Sequence, residues 1–382
     1  MKFDFVVLGA TGMQGKIVSK DLLENGYSVL MCGRDLSRIE NFSKYKGAKI
    51  DYVDLKDIKN ASIIIKNSGS NIVINCAEGD WNLNALEACT KAGANSIDLG
   101  SEIWMTKKQF GFDKILKQKE LTHITGCGSV PGIGNVMLRH GAEKLDSISK
   151  VEVGLAWNSN IKKFVVPFSM ESIIEEFTDP ATNVKGGKFV KIKPMDSLKE
   201  TTDKFVGEEE SFFVRHPETY TFYNYFKDKG LKNVNFYAEF PKHSFEVIKT
   251  LIDIGFGSKN EINVDGVKVK PVRVLTEVLK NIKMPEKYEE KEDLWVTMIG
   301  KKDGDKKVIE MNCIVPTLDG WEDAGCNIDT GIPASIIAQM IKNKIINQKG
   351  SFAPEAVVPP GLFFEEIAKR KMVVLENGKR IN

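Results

Sequence analysis

Three glycines spaced G-x-x-G-x-x-G open this chain, in Gly9-Ala10-Thr11-Gly12-Met13-Gln14-Gly15. They follow an apolar run, Phe3 to Leu8, and precede an amphipathic stretch over residues 13–25. Residues of this type between a strand and a helix suit phosphate binding. Gly9 permits a tight turn, Gly12 lets the backbone approach a pyrophosphate, and Gly15 lets the helix pack close to the strand. The helix start adds free N–H groups and partial positive charge. Gly9, Thr11, Gly12, Met13 and Gln14 are therefore expected around a dinucleotide.

The next strand end bears on which dinucleotide. An acid there would hold a ribose 2′-hydroxyl, but the sequence reads Cys32-Gly33-Arg34-Asp35. Gly33 stands where the acid is expected, and Arg34 can meet a 2′-phosphate through charge-assisted hydrogen bonds, with Arg38 assisting. This favours NADP over NAD, although Asp35 could still serve a ribose. Asp54 closes the third strand, as an adenine acceptor or as the cap of the following segment. Cys76 and Ala77 close the fourth, near the expected ribose and nicotinamide.

The elements that must position these residues can be read from apolar runs. Strands are expected at residues 3–8, 28–32, 48–53, 72–76, 96–99 and 122–125, separated by helix-length segments. Such alternation implies crossover units and a parallel sheet covered on both faces. After Pro131 a helix at 133–144 leads into strand-rich sequence with polar–apolar alternation, as at 151–157, 234–240 and 294–299. This suits an antiparallel sheet. Asp303-Gly304-Asp305 is expected to turn a hairpin. Helical periodicity returns at 334–346 and 361–370. The fold class expected is α/β: a Rossmann-type doubly wound parallel sheet with an inserted α+β domain carrying a mostly antiparallel sheet. The expected division is residues 1–130 plus 331–382 for the dinucleotide and 131–330 for substrate binding and oligomerisation.

The order of further motifs resembles the saccharopine dehydrogenase family, closest in appearance to its lysine 6-dehydrogenase branch. Ser96-Ile97-Asp98-Leu99-Gly100 and Gly128 through Pro131, Gly132 and Asn135 carry the likeness. Phe168-Ser169-Met170-Glu171, Thr178-Asp179-Pro180, Val264 to Pro271, and the end from Gly331 through Gly350 and Glu355 to Val358 extend it. The resemblance implies hydride transfer at a C–N bond of lysine or a lysine-derived amino acid. It also implies a Rossmann domain completed by the C-terminal helices, and a homodimer built on the central sheet.

That chemistry needs a proton-handling group and a substrate clamp. Asp98, at the end of the fifth strand, is the expected general base, with Glu78 and Asp80 as second choices. His243 falls where the lysine 6-dehydrogenase branch also has a histidine, and is expected to relay a proton or bind the amino acid. Asn135 and Ser169 are expected at the substrate, with helix capping as the alternative for each. Arg215 and Lys242 are expected to hold a substrate carboxylate. Two departures from the branch bear on substrate: Glu78-Gly79-Asp80-Trp81, where the family reads small and apolar, and His216 to Phe222, where the branch is rich in serine and glycine.

Composition bounds the rest. The 382 residues are too many for one core, and 42% hydrophobic with 28% charged residues suits a globular chain. A net charge of +2 gives no reason to expect nucleic acid or an anionic membrane surface. No apolar run approaches the roughly 18–20 residues of a membrane span, and Met1 to Asp4 lead straight into a strand, so a cytoplasmic address is expected. None of the six cysteines forms a C-x-x-C pair, so no metal is expected. Two other readings stay open: a related carboxynorspermidine-type polyamine reductase joining an amine to an aldehyde, and a non-catalytic dinucleotide sensor. A strongly acidic pocket would favour the polyamine reading.

Overall fold

The computed structural model describes residues 2–100, 102–161, 164, 170–279, 281–282 and 288–382. The chain begins β1 (Phe5–Leu8), α1 (Met13–Glu24), β2 (Val29–Gly33), β3 (Ala48–Tyr52), α2 (Ile58–Asn67), β4 (Ile72–Asn75), α3 (Asn82–Ala92) and β5 (Asn95–Asp98). It continues with α4 (Ile103–Phe110), α5 (Asp113–Gln118), β6 (Thr122–Ile124) and α6 (Ile133–Glu143). The middle comprises β7 (Ser147–Ser159), α7 (Met170–Thr178), β8 (Ala181–Lys185), β9 (Lys188–Ile192), β10 (Lys199–Asp203), β11 (Gly207–Phe213), α8 (Glu218–Phe226) and β12 (Asn233–Pro241). Then come α9 (Lys242–Asp253), β13 (Ile262–Val264), β14 (Val267–Val269), α10 (Pro271–Leu279), β15 (Glu290–Lys302) and β16 (Asp305–Pro316). The end is α11 (Ile328–Lys342), β17 (Gly350–Phe352), α12 (Pro354–Val357), α13 (Pro360–Lys369), β18 (Val373–Glu376) and β19 (Lys379–Arg380).

The first sheet runs β17-β6-β5-β4-β1-β2-β3, and every pair in it is parallel. The apolar strands β1, β2 and β4 are buried along their whole length, as strands covered on both faces must be. The chain winds outward in both directions from β1. That leaves a crevice beyond the carboxyl ends of β1 and β4, at Gly9 and Cys76, where ligands of such sheets bind. This is the Rossmann-type arrangement expected.

The second sheet has ten strands, along the path β10-β11-β12-β7-β15-β16-β18-β19 with β8 and β9 joined at β12. Only β12 and β7 pair in parallel among its described strands. The expected hairpin turn is two residues long: Asp303 (φ 53°) and Gly304 (φ 88°) sit between the paired residues Lys302 and Asp305. Positive φ at both central positions is what a tight hairpin with the natural strand twist requires.

Two features depart from expectation. Residues 373–380, expected with the dinucleotide-binding part, form β18 and β19 and pair with β16 of the second sheet. The middle of the chain also holds α8, α9 and α10 where strands dominated the expectation. Helix α8 contains Tyr220, Phe222, Tyr223, Tyr225 and Phe226, residue types that favour strands by propensity, and tertiary packing overrides that preference.

The two halves of the chain meet at α1. Gly331 of α11 comes so close to Ile17 that a methyl group there would overlap it. Buried Asp21 of α1 takes both Nε (3.0 Å) and Nη2 (3.1 Å) of Arg370, and the Ser335 hydroxyl at 2.6 Å. A fully partnered buried carboxylate of this kind fixes α1, and with it the glycine turn, against α11 and the end of α13.

Candidate active site

The glycine turn is built for close approach. Gly9 has φ +69°, and a Cβ on it would stand 2.5 Å from Ala77 N at the end of β4. Gly15 would overlap Gly9 O in the same way. Gly12 differs: a Cβ there would meet only Gly9 O, at 3.5 Å, so the fold does not demand glycine and the bare backbone faces open space. Helix α1 follows Gly12 and has no side-chain cap and no acid in its first turn, which leaves its positive end for an anion.

A cavity of about 200 Å³ lies against this turn, lined among others by Thr11, Gly12, Arg34, Arg38, Asp54 and Ala77. Gly33 packs against Thr11: a Cβ on Gly33 would be 2.5 Å from Thr11 Cγ2, so a side chain there would have to displace Thr11. Arg34 and Arg38, both exposed, flank the cavity mouth instead. Asp54 accepts the Lys56 N–H at 2.9 Å, so it caps its turn while lining the cavity. Burial and the nearby Asp98 push the Cys76 thiol up, so it stays protonated. These residues fit an NADP-type dinucleotide: a bare helix start for the pyrophosphate, and arginines where a 2′-phosphate would lie.

Beyond Cys76 and Ala77 the crevice opens into a chamber of about 600 Å³. Gly12, Met13 and Gln14 form one wall, and Gln14 Oε1 is buried there without a hydrogen-bond partner among the described residues. The opposite wall comes from β7 (Leu155, Trp157), β15 (Glu290, Glu292), α7 (Glu176) and α11 (Asp329), together with His216. An outer chamber of about 780 Å³ shares Glu78, Ser129, Glu176, His216 and Thr330 with it, so the two form one cleft.

The cleft is strongly acidic. Among the described residues its two chambers are lined by nine carboxylates, Glu78, Asp80, Glu102, Glu175, Glu176, Asp179, Glu290, Glu292 and Asp329, against Arg215, Lys259 and Arg273. All three basic residues belong to the outer chamber. Burial pushes Glu176 up to about 7, with Glu175 adding to the rise and His216 opposing it. Asp329 is pushed up to about 7 by burial, against hydrogen bonds from Glu292, Thr330 and Ser129. Burial, and then the charge of Asp329, raise Glu292 well above the usual carboxylate range. Glu292 and Asp329 hydrogen-bond to each other, so the pair retains a proton that two isolated carboxylates would lose.

Several expected site residues take other roles. Asp98 is 1% exposed and lines none of these chambers. It accepts from Gly100 N (2.8 Å), Thr125 Oγ1 (2.8 Å), Gly126 N (3.2 Å) and Gln109 Nε2, which ties β5 to the ends of β6 and α4. Asn135, also 1% exposed, accepts from Gly132 N at 2.8 Å and donates to Glu355 at 2.7 Å, which is the capping role. Arg215 does reach the outer chamber, but its guanidinium meets Glu102 (2.8 Å), Asp179 (3.1 Å) and Glu175 (3.6 Å). Lys242 and His243 open α9 outside the chambers, and His243 Nδ1 meets Ser244 Oγ at 3.1 Å. Ser169 lies outside the described residues.

The acids and the histidine that line the inner chamber and that the sequence reading did not single out are Glu176, His216, Glu290, Glu292 and Asp329. One signal was present in the sequence. The period of two that sets Leu294, Val296 and Met298 on one face of β15 continues backwards to Glu292 and Glu290. An acid on the covered face of a strand marks either a partner or a ligand. For Glu176 and His216 no local pattern existed, because their place depends on α7 and the start of α8 meeting at the crevice.

The family model of the saccharopine dehydrogenase NADP binding domain matches residues 5–124, and that of the saccharopine dehydrogenase C-terminal domain matches residues 128–373. A carboxyaminopropylagmatine dehydrogenase from Synechocystis sp. is 21% identical over 374 residues, covering 93% of this chain and 92% of the relative. The apo structure of a histidine-tagged saccharopine dehydrogenase (L-Glu forming) from Saccharomyces cerevisiae superposes with a TM-score of 0.78 at 13% identity, over the whole of both chains, and shares the fold. With a bare glycine turn at the NADP-binding crevice and family matches over residues 5–124 and 128–373, the chain belongs to the saccharopine dehydrogenase family of oxidoreductases.

Proposed function

We propose that this protein is an NADP-linked oxidoreductase of carbon–nitrogen bonds whose substrate is a polyamine-type cation. The observation that carries the reading is the inner chamber: five carboxylates, Glu78, Glu176, Glu290, Glu292 and Asp329, line it, and no lysine or arginine does among the described residues. Burying carboxylates together is costly, and a multiply charged ammonium or guanidinium substrate offsets that cost by pairing with them. The sequence departs from the lysine 6-dehydrogenase branch at Glu78 to Trp81, and Glu78 and Asp80 add to the same acidic wall. The Synechocystis relative is named for an agmatine derivative, a cationic substrate of the same kind.

The lysine-derived reading relied on a basic residue free to hold a carboxylate. Arg215, held by three acids, weakens that reading without removing a carboxyl group from the substrate altogether.

The chemistry balances simply. A primary amine and an aldehyde lose water to form a C=N bond; the carbon then takes a hydride and the nitrogen a proton, giving a secondary amine. The bound dinucleotide supplies or accepts that hydride. The chain must hold the cation, keep the reacting carbon at the Cys76 side of the crevice, exclude water and move one proton.

The test is turnover followed at 340 nm. Agmatine, diamines and spermidine with a carboxyl-bearing aldehyde should oxidise NADPH, and the product amine should reduce NADP. Lysine and saccharopine should be poor substrates. Efficient turnover of saccharopine, with none of the polyamine-type amines, would overturn the reading.

A further inference from the structure

The geometry points to His216 as the group that exchanges the substrate nitrogen's proton, with the buried carboxylate of Glu218 as its positioning residue. This rests on the reading of the cleft as a carbon–nitrogen oxidoreductase site. Neither residue carries a role in the family likeness quoted above.

His216 stands at the junction of the two chambers and lines both. Its ring lies flat on Phe236 of β12, with centroids 3.9 Å apart and an interplanar angle of 7°. Nδ1 faces Glu218 Oε2 at 3.3 Å. Stacking and this contact together fix the ring, and Nε2 makes no hydrogen bond within the described residues. The side chain is 17% exposed, and the cleft is what it is exposed to.

Glu218 has no exposed surface, and its Oε1 has no hydrogen-bond partner among the described residues. A buried carboxylate so poorly hydrogen-bonded needs a counter-charge. It is the first residue of α8, where the helix dipole favours an anion, and among the described residues the basic side chain that meets it is His216. Three acids face the imidazole from three elements: Glu218 from α8, Glu176 from α7 and Glu102 from the segment before α4. Burial alone would push His216 down, but these charges outweigh it and raise it above the usual histidine value. The imidazolium is thus available near neutral pH, where a proton donor to C=N is needed.

In the amine-forming direction the C=N double bond opens, the carbon gains the hydride, and the nitrogen takes the proton from His216 Nε2. The imidazole is left neutral and recovers a proton from solvent through the outer chamber. In the reverse direction the carbon of the neutral amine loses its hydride and the nitrogen returns its proton to neutral His216 Nε2, restoring the C=N bond and the imidazolium. Glu218 Oε2 holds Nδ1–H towards itself, which fixes the tautomer that exposes Nε2.

The experiment uses the full chain labelled with ¹³Cε1-histidine and titrated by NMR without any ligand, alongside the pH profile of kcat. The chain has four histidines, so four resonances are expected, and the one stacked on Phe236 carries its ring-current shift. In the wild type this resonance should titrate above ordinary histidine, and in Glu218→Gln its midpoint should fall by about one pH unit, in step with the alkaline limb of kcat in the amine-forming direction. His216→Asn should lower kcat roughly 100-fold or more while changing amine KM little. An unchanged midpoint in Glu218→Gln overturns the pair, and an unchanged kcat in His216→Asn overturns the proton role. Because the titration needs no substrate, a shifted midpoint together with a failed turnover screen supports the pair and counts against the substrate reading.

Discussion

Thr125 Oγ1 donates a hydrogen bond to Asp98 Oδ1 at 2.8 Å, inside the sheet rather than at the cleft. With Gly100 N, Gly126 N and Gln109 Nε2 it saturates the carboxylate. Asp98→Ala should therefore act on stability: it leaves several buried donors without an acceptor, a loss of about 2–4 kcal/mol. Urea unfolding checks the size. The folded fraction should retain turnover far above the roughly 100-fold loss that removing a general base brings. A fully stable but inactive variant would return Asp98 to the chemistry.

Arg34 should discriminate between cofactors. It lines the dinucleotide cavity beside Gly33, where a side chain would have to displace Thr11. A charge-assisted contact with a 2′-phosphate is worth about 1.5–3 kcal/mol, so Arg34→Ala should raise KM for NADPH roughly tenfold or more and leave NADH nearly unchanged. Parallel saturation curves with the two cofactors check this. Equal losses for both would mean that Arg34 does not read the 2′-phosphate.

The buried acids of the cleft should make the free protein less stable as pH rises. Glu176 and Asp329 stand at about 7 in the folded chain against 4.5 and 3.8 without it, so folding favours their protonated forms. The sign follows from linkage: their penalty is absent below the unfolded values, grows through the interval, and is complete above about 7. Thermal unfolding between pH 5 and 8 should show Tm falling. Glu176→Gln and Asp329→Asn should each flatten the slope, while Glu355, also pushed up to about 7 but outside the cleft, preserves part of it. A wild-type slope untouched by both substitutions would place the proton uptake elsewhere.

Much of the frame was legible in the sequence. The glycine turn, the apolar strands β1, β2 and β4, and the Asp303-Gly304 hairpin depend on local chemistry, and the structure has them where the pattern puts them. The site was less legible, for a physical reason. Strand-end position alone cannot separate a carboxylate facing the crevice from one turned into the sheet: Glu78 follows β4 and lines the cleft, whereas Asp98 ends β5 and is enclosed. Arg215 reads as a clamp only until Glu102, Glu175 and Asp179 are seen around it, and they come from distant segments. Glu290 and Glu292 could have been read, since they share the face of Leu294, but their meeting with Asp329 crosses from β15 to α11 and has no trace in local spacing.

The claim that the cleft is a cation site is tested most directly by calorimetry. Agmatine or spermidine is titrated into the protein at pH 7 with NADP present, in two buffers of different ionisation enthalpy. The account predicts binding with net release of protons, because the cation draws Glu176, Asp329 and Glu292 into their ionised forms, and a smaller release in the Glu292→Gln, Asp329→Asn double variant, where Glu176 alone of the three remains. Tight binding of saccharopine, with no measurable binding of either polyamine-type cation, would contradict it.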